Sequence, residues 1–160
     1  MDTTTLADLI NGSLPWRQLK EILSGTMSAD RFDLYRQVMR SRAGFDEIPL
    51  PLAEYLYVAS AHGRIVKCDC GHQVGPVAEN WKRASRILVP EREELLEEIY
   101  GPCHRCDPRW MELREYYCPG CWSLLEVEAV PPGYPVESGF EPGINTFYSD
   151  FPGRPAPGVR

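Results

Sequence analysis

The chain has 160 residues, enough for one hydrophobic core with or without a small metal-stapled module. Its apolar and charged fractions are ordinary for a globular protein, and no apolar run approaches the roughly 20 residues a membrane helix needs, so no membrane partner is expected. A formal net charge of −6, with its longest charge run the acidic stretch 91–98, argues against nucleic acid, whose phosphates are bound through clustered Lys and Arg.

The N-terminus, Met1 to Ile10, is acidic and lacks the positive-then-apolar order of a secretory signal, which points to the cytoplasm. The first third reads as helical. Leu6, Leu9 and Ile10 follow a Thr-rich start, and Asn11-Gly12 is a stop signal. Pro15 opens a second helix carrying Trp16, Leu19, Ile22 and Leu23, which Ser24-Gly25 ends. Ser28 caps a third, in which Phe32, Tyr35, Val38 and Met39 repeat at helical spacing. Such stripes are core or partner-docking faces far more often than sites.

The period then changes. Glu54 to Ser60 and Arg64 to Asp69 are β-rich and flank Ala61-His62-Gly63, which predicts a hairpin leading into Cys68 and Cys70. A short strand over Arg86 to Val89 precedes Pro90 and an acidic helix reaching Tyr100. Pro90 suits a first helical turn, and Glu91, Glu93 and Glu94 suit its positive end. Met111 to Tyr117 and Leu124 to Val130 form a second hairpin whose turn is Cys118-Pro119-Gly120-Cys121, one half of a zinc ribbon. From Pro131 onward, seven prolines and five glycines in thirty residues forbid regular structure over most of the tail. Tyr134, Phe140, Phe147, Tyr148 and Phe151 are too aromatic for a solvating linker, so the tail reads as an extended arm that docks its rings on another surface. The expectation is an α+β chain in three regions: helical 1–50, a zinc-ribbon-like β domain with an inserted acidic helix over 51–130, and a docking arm over 131–160.

Six cysteines in a reducing compartment point to metal rather than disulfides. They fall in close pairs, Cys68 with Cys70, Cys103 with Cys106, and Cys118 with Cys121, which suits two thiolates wrapping one ion. Cys118 and Cys121 are the strongest pair. Spacing alone leaves their partners open. Eleven residues separate Cys106 from Cys118, close to common finger spacing, whereas forty-seven separate Cys70 from Cys118. Yet Cys68-Asp69-Cys70-Gly71 comes off its own hairpin, so two hairpins could present two knuckles face to face. His72 and His104 each adjoin a pair, and a lone histidine is more often a surface or satisfied core residue than a ligand.

Several of these stretches occur together in a known order: Cys68-Asp69-Cys70-Gly71-His72, Asn80-Trp81-Lys82, Pro108-Arg109-Trp110, and Arg114-Glu115-Tyr116-Tyr117-Cys118-Pro119-Gly120-Cys121. Leu125-Glu126-Val127-Glu128-Ala129, Tyr134-Pro135 and Phe147-Tyr148 follow. In them the chain resembles the gamma (small) subunit of the ATP-dependent acetone and acetophenone carboxylases, over about residues 60 to 151 and more loosely over the helical N-terminus. The resemblance implies Cys68, Cys70, Cys118 and Cys121 as ligands of a structural Zn2+, and it does not include Cys103 and Cys106. Trp122 departs from it, since such knuckles often carry Gly after the second cysteine. It further implies a biotin-independent enzyme that couples ATP hydrolysis to joining bicarbonate and a ketone. Large hydantoinase-like partner subunits would carry the nucleotide and any catalytic metal.

On this chain no phosphate-cradling loop, no Gly-x-Ser-x-Gly elbow and no nucleophile with a paired base is evident, so no catalytic or cofactor-binding residue is expected. Two other readings compete. A free-standing zinc-ribbon binding module would want a basic face, which the charge balance disfavours. A thiol-redox enzyme using Cys103-His104-Arg105-Cys106 or the Cys118 pair would want a βαβ context, whereas Cys118 opens a predicted β-turn.

Overall fold

The computed structural model describes residues 1–26, 30–43, 50–60, 63–104, 106–139, 141, 143–150 and 156. The expected cap Ser28, the turn residues 61–62, and the tail aromatics Phe140 and Phe151 lie outside them. The class is α+β, with five helices and two antiparallel sheets among the described residues.

Helix α1, Thr3–Ile10, starts where the Asp2 carboxylate accepts the Thr5 amide at 2.8 Å, and it ends at Asn11-Gly12 with Gly12 at φ 68. Helix α2, Trp16–Ser24, starts after Pro15 and ends at Gly25, as its sequence predicts. It buries no residue, and Trp16 and Leu23 are about 70% exposed (70% and 72%). Helix α3 is Arg31–Ala43. Leu6 of α1 is buried, and Met39 of α3 lies in a cluster with Tyr57 and Ala59, the Tyr57 hydroxyl meeting Met39 Sδ at 3.8 Å.

The first sheet is a meander of β1 (Leu50–Ala53), β2 (Leu56–Ser60), β3 (Arg64–Cys68) and β4 (Gln73–Pro76), paired in chain order. Alternation along β2 sorts its side chains. Tyr57 and Ala59 meet Met39. Leu56 and Val58 point the other way, Leu56 into a cluster with Val66, Cys68, Cys118 and Leu125, and Val58 into one with Ile144 and Tyr148. Both faces of β2 are therefore covered, which is why four of its five residues are buried.

The second sheet is β5 (Arg86–Leu88), β6 (Glu112–Tyr117) and β7 (Leu124–Val130), in that order. Between β5 and β6 runs the acidic helix α4, Glu93–Tyr100, held down by the buried Leu96. It begins three residues beyond Pro90, with Arg92 rather than proline at its cap. A register shift between Tyr116 and Tyr117 turns Leu125 into the cysteine-lined core.

The arm is both extended and helical. Up to residue 139 it runs without regular structure, and further on it forms a two-turn helix α5, Ile144–Asp150. Two of its side chains, Ile144 and Tyr148, are buried on the chain's own first sheet, with Phe32 of α3 edge-on to Phe147 and Tyr148 at 5.2 and 6.0 Å. Three donors hold the extended part through its carbonyls: Asn80 Nδ2 and Arg83 Nε give to Val136 O at 3.0 and 3.4 Å, and Arg114 gives to Tyr134 O at 2.5 Å.

Candidate metal centre

Two turns, one from each sheet, make the site. The first follows β3. The Cys68 amide gives to His72 O and the Gly71 amide to Cys68 O, both at 2.9 Å, and Gly71 takes φ 90, a left-handed value that only glycine adopts freely. The second joins β6 to β7. There the Cys118 amide gives to Ser123 O at 3.0 Å, the Trp122 amide to Cys118 O at 2.9 Å, and the Gly120 amide to Cys118 Sγ at 3.3 Å. Trp122 has φ 61, the one described non-glycine residue in the left-handed region. The position does ask for glycine, and the tryptophan adopts the glycine conformation with its ring exposed.

The turns face each other closely. A Cβ built on Gly120 would stand 2.8 Å from His72 Cβ and 3.0 to 3.1 Å from its ring atoms, so the knuckles stack at the width of a glycine. This brings together Cys68, Cys70, Cys118 and Cys121, whose sulfurs all lie within 4.8 Å of one another. Cys68 Sγ is 3.7 Å from Cys121 Sγ, and Cys70 Sγ is 3.8 Å from Cys118 Sγ. A disulfide would need about 2.05 Å. A tetrahedron with metal–sulfur bonds of about 2.3 Å has edges of about 3.8 Å. The donor set therefore fits a metal ion that prefers four sulfurs. Cys68 and Cys118 are fully buried, while Cys70 and Cys121 are exposed.

The protein's own groups treat the thiols unequally. Burial pushes the Cys68 and Cys70 thiols above their ordinary value. Burial also opposes ionisation of Cys121, but hydrogen bonds from the Ser123 hydroxyl and amide, then from the neighbouring thiols, outweigh it and bring Cys121 to about 7. The Ser123 oxygen is 3.2 Å from Cys121 Sγ.

Among the described residues, Cys103, Cys106, His72 and His104 take no part in such a cluster. Cys103 is exposed in the loop after α4, and the half-buried Cys106 thiol gives to Met111 O at 3.4 Å. His72 instead covers Gly120.

Beside the knuckles lies a buried charge network that the sequence reading passed over. Lys82 is 2% exposed and its ammonium bonds Glu126 at 2.6 Å and Glu128 at 2.7 Å, over the Tyr116 ring at 5.1 Å. The Tyr116 hydroxyl gives to Glu128, and Arg114 pairs with Glu112 while holding the arm at Tyr134. On the opposite face of β6, the buried Glu115 accepts from the hydroxyls of Tyr100 at 2.5 Å and Tyr117 at 2.7 Å. Asn80, Lys82, Arg114, Tyr116, Glu128 and Tyr134 thus form one clamp fastening the arm and the 3-10 turn Trp81–Ala84 to the second sheet.

The sequence profile of the acetone carboxylase gamma subunits matches residues 44–152, which hold both knuckles and the whole clamp. The chain belongs to this family. It is 35% identical over 156 residues to the acetone carboxylase gamma subunit of Xanthobacter autotrophicus (strain ATCC BAA-1158 / Py2), covering 95% of this chain and 93% of that one. It is also 33% identical over 84 residues to the acetophenone carboxylase beta subunit of Aromatoleum aromaticum (strain DSM 19018 / LMG 30748 / EbN1), covering 49% of this chain and 62% of that one. Helices α1, α2 and α3 precede the matched residues, which take in both sheets, the knuckles and the clamped arm as far as residue 152. No helix among the described residues is long and apolar enough to cross a membrane.

Proposed function

We propose that this gamma-family chain is the structural, zinc-holding small subunit of a multi-subunit ketone carboxylase. Cys68, Cys70, Cys118 and Cys121 are its zinc ligands. The observation that carries the reading is the meeting of four sulfurs, two per sheet, at tetrahedral spacing in a chain whose relatives are named as carboxylase subunits. When bound, zinc supplies a closed four-sulfur centre that joins the two turns and leaves no open position for a substrate. The role is therefore architectural.

The ATP-dependent, biotin-independent joining of bicarbonate to a ketone is assigned to large hydantoinase-like partner subunits in the cytoplasm. This chain gives them a rigid body with its arm clamped in place. The test is to purify the complex from its native source, identify the chains that travel with this one, and measure metal. We expect large subunits, ketone- and ATP-dependent bicarbonate fixation, and about one zinc per copy of this chain. A polypeptide that purifies alone and metal-free while folded would sink the proposal.

A further inference from the structure

At the second knuckle the Gly120 amide gives to Cys118 Sγ at 3.3 Å. Cys121 meets the Ser123 hydroxyl at 3.2 Å, and against a thiolate only the hydroxyl has a proton to give. Cys70, the other exposed sulfur, has no side-chain donor of this kind among the hydrogen bonds described.

We propose that Ser123 is a positioning residue of the metal centre, whose hydroxyl withdraws charge from the Cys121 thiolate and makes this exposed ligand the less reactive of the two that face solvent. The inference rests on the four cysteines being zinc ligands. A centre of four thiolates around one dication carries two excess negative charges, so each donor to sulfur offsets charge that would otherwise make that sulfur nucleophilic. The buried pair, Cys68 and Cys118, is shielded by packing. At the surface only hydrogen bonding is left to protect a ligand, and Ser123 supplies it on one side. Cys70 is then where electrophiles first attack the loaded centre.

The experiment uses the full-length, zinc-loaded chain, treated with a small excess of iodoacetamide and mapped by peptide mass over time. In the wild type Cys70 is labelled first and Cys121 lags. In Ser123→Ala the Cys121 rate rises about tenfold and the zinc affinity falls by a similar factor, the lower end for loss of an outer-shell partner. Ser123→Thr keeps the hydroxyl and returns both to wild type. A spectroscopic readout separates tuning from mere packing: with cobalt(II) in place of zinc, the sulfur-to-metal charge-transfer band moves to longer wavelength in Ser123→Ala and stays put in Ser123→Thr. Labelling and band position unchanged in Ser123→Ala overturn the inference while leaving the zinc reading intact. A wild-type chain that takes up neither zinc nor cobalt overturns the zinc reading itself.

Discussion

Cys68 Sγ stands 3.7 Å from Cys121 Sγ although fifty-three positions separate them in the chain. Cys68 closes β3 of the first sheet, and Cys121 sits in the turn that opens β7 of the second. The sulfur cluster is thus where the two sheets are pinned at their turns, with Leu56, Val66 and Leu125 packed behind it. A core this small gains much from such a pin.

Removing one ligand tests the pin. Cys118→Ser puts a poor zinc ligand at a fully buried corner. Structural zinc contributes an apparent 10 to 16 kcal/mol, roughly, in zinc-finger peptides, as much as the whole stability of a typical domain at about 5 to 15 kcal/mol. We expect the variant to lose its metal on dialysis and its cooperative thermal transition with it. Full metal occupancy in Cys118→Ser would remove Cys118 from the ligand set.

Both hairpins and the first helices were legible because alternating apolar residues and Gly/Pro punctuation agreed there. Strands β1 and β4 were not, since Pro51, Gly75 and Pro76 argue against strands. Both are edge strands, where a missing amide donor is tolerated. Helix α5 was hidden by Asn, Thr and Ser in a Pro/Gly-rich tail; burial of Ile144 and Tyr148, not propensity, sustains it. The resemblance named all four clustered cysteines, whereas spacing alone reached only Cys118 and Cys121 and left Cys103 and Cys106 open beside Cys68 and Cys70; what separates those two pairs is the docking of one sheet on another. Lys82 was unreadable for a different reason: a lysine is almost never fully buried unless paired, and its partners lie forty-four and forty-six residues away.

The stacking of the knuckles predicts an unusual rescue. Gly120→Ala would put its Cβ 2.8 Å from His72 Cβ, which is not the far end of a flexible chain. Overpacking of this kind costs about 1 to 3 kcal/mol. His72→Ala should not relieve it, because the offending atom is the histidine's own Cβ. His72→Gly should. A thermal-denaturation double-mutant cycle measures this, and equal rescue by Ala and Gly would show that the ring, not the backbone approach, sets the limit.

The clamp predicts weakening in alkali. Burial alone would lower the Lys82 ammonium, but hydrogen bonds to Glu126 and Glu128 more than reverse it, so it titrates above its ordinary 10.5. Burial and then the bond to Glu128 push the Tyr116 phenol up from 10.0 to about 12. Both groups titrate higher in the folded chain than in the unfolded one, so their contribution is complete below about pH 10 and falls as the pH rises further, the phenol's share being lost through about 12. Urea midpoints should fall across that window, and Tyr116→Phe should flatten part of the fall, leaving the share due to Lys82. An identical slope in the variant would show that the phenol is not linked to folding.

Trp122 predicts a substitution that stabilises. At φ 61 its Cβ crowds the following carbonyl, a cost of roughly 1 to 2 kcal/mol that glycine does not bear. The ring returns little to the isolated chain, being 64% exposed. Glycine has its own cost, a larger loss of backbone freedom on folding, but at a left-handed position the steric term dominates. Trp122→Gly should therefore raise the melting temperature of the zinc-loaded chain by about 2 to 4 °C per kcal/mol gained. A lower melting temperature would mean that the indole packs on the knuckle more than its exposure indicates, and the balance between strain and contact at this corner would then run the other way.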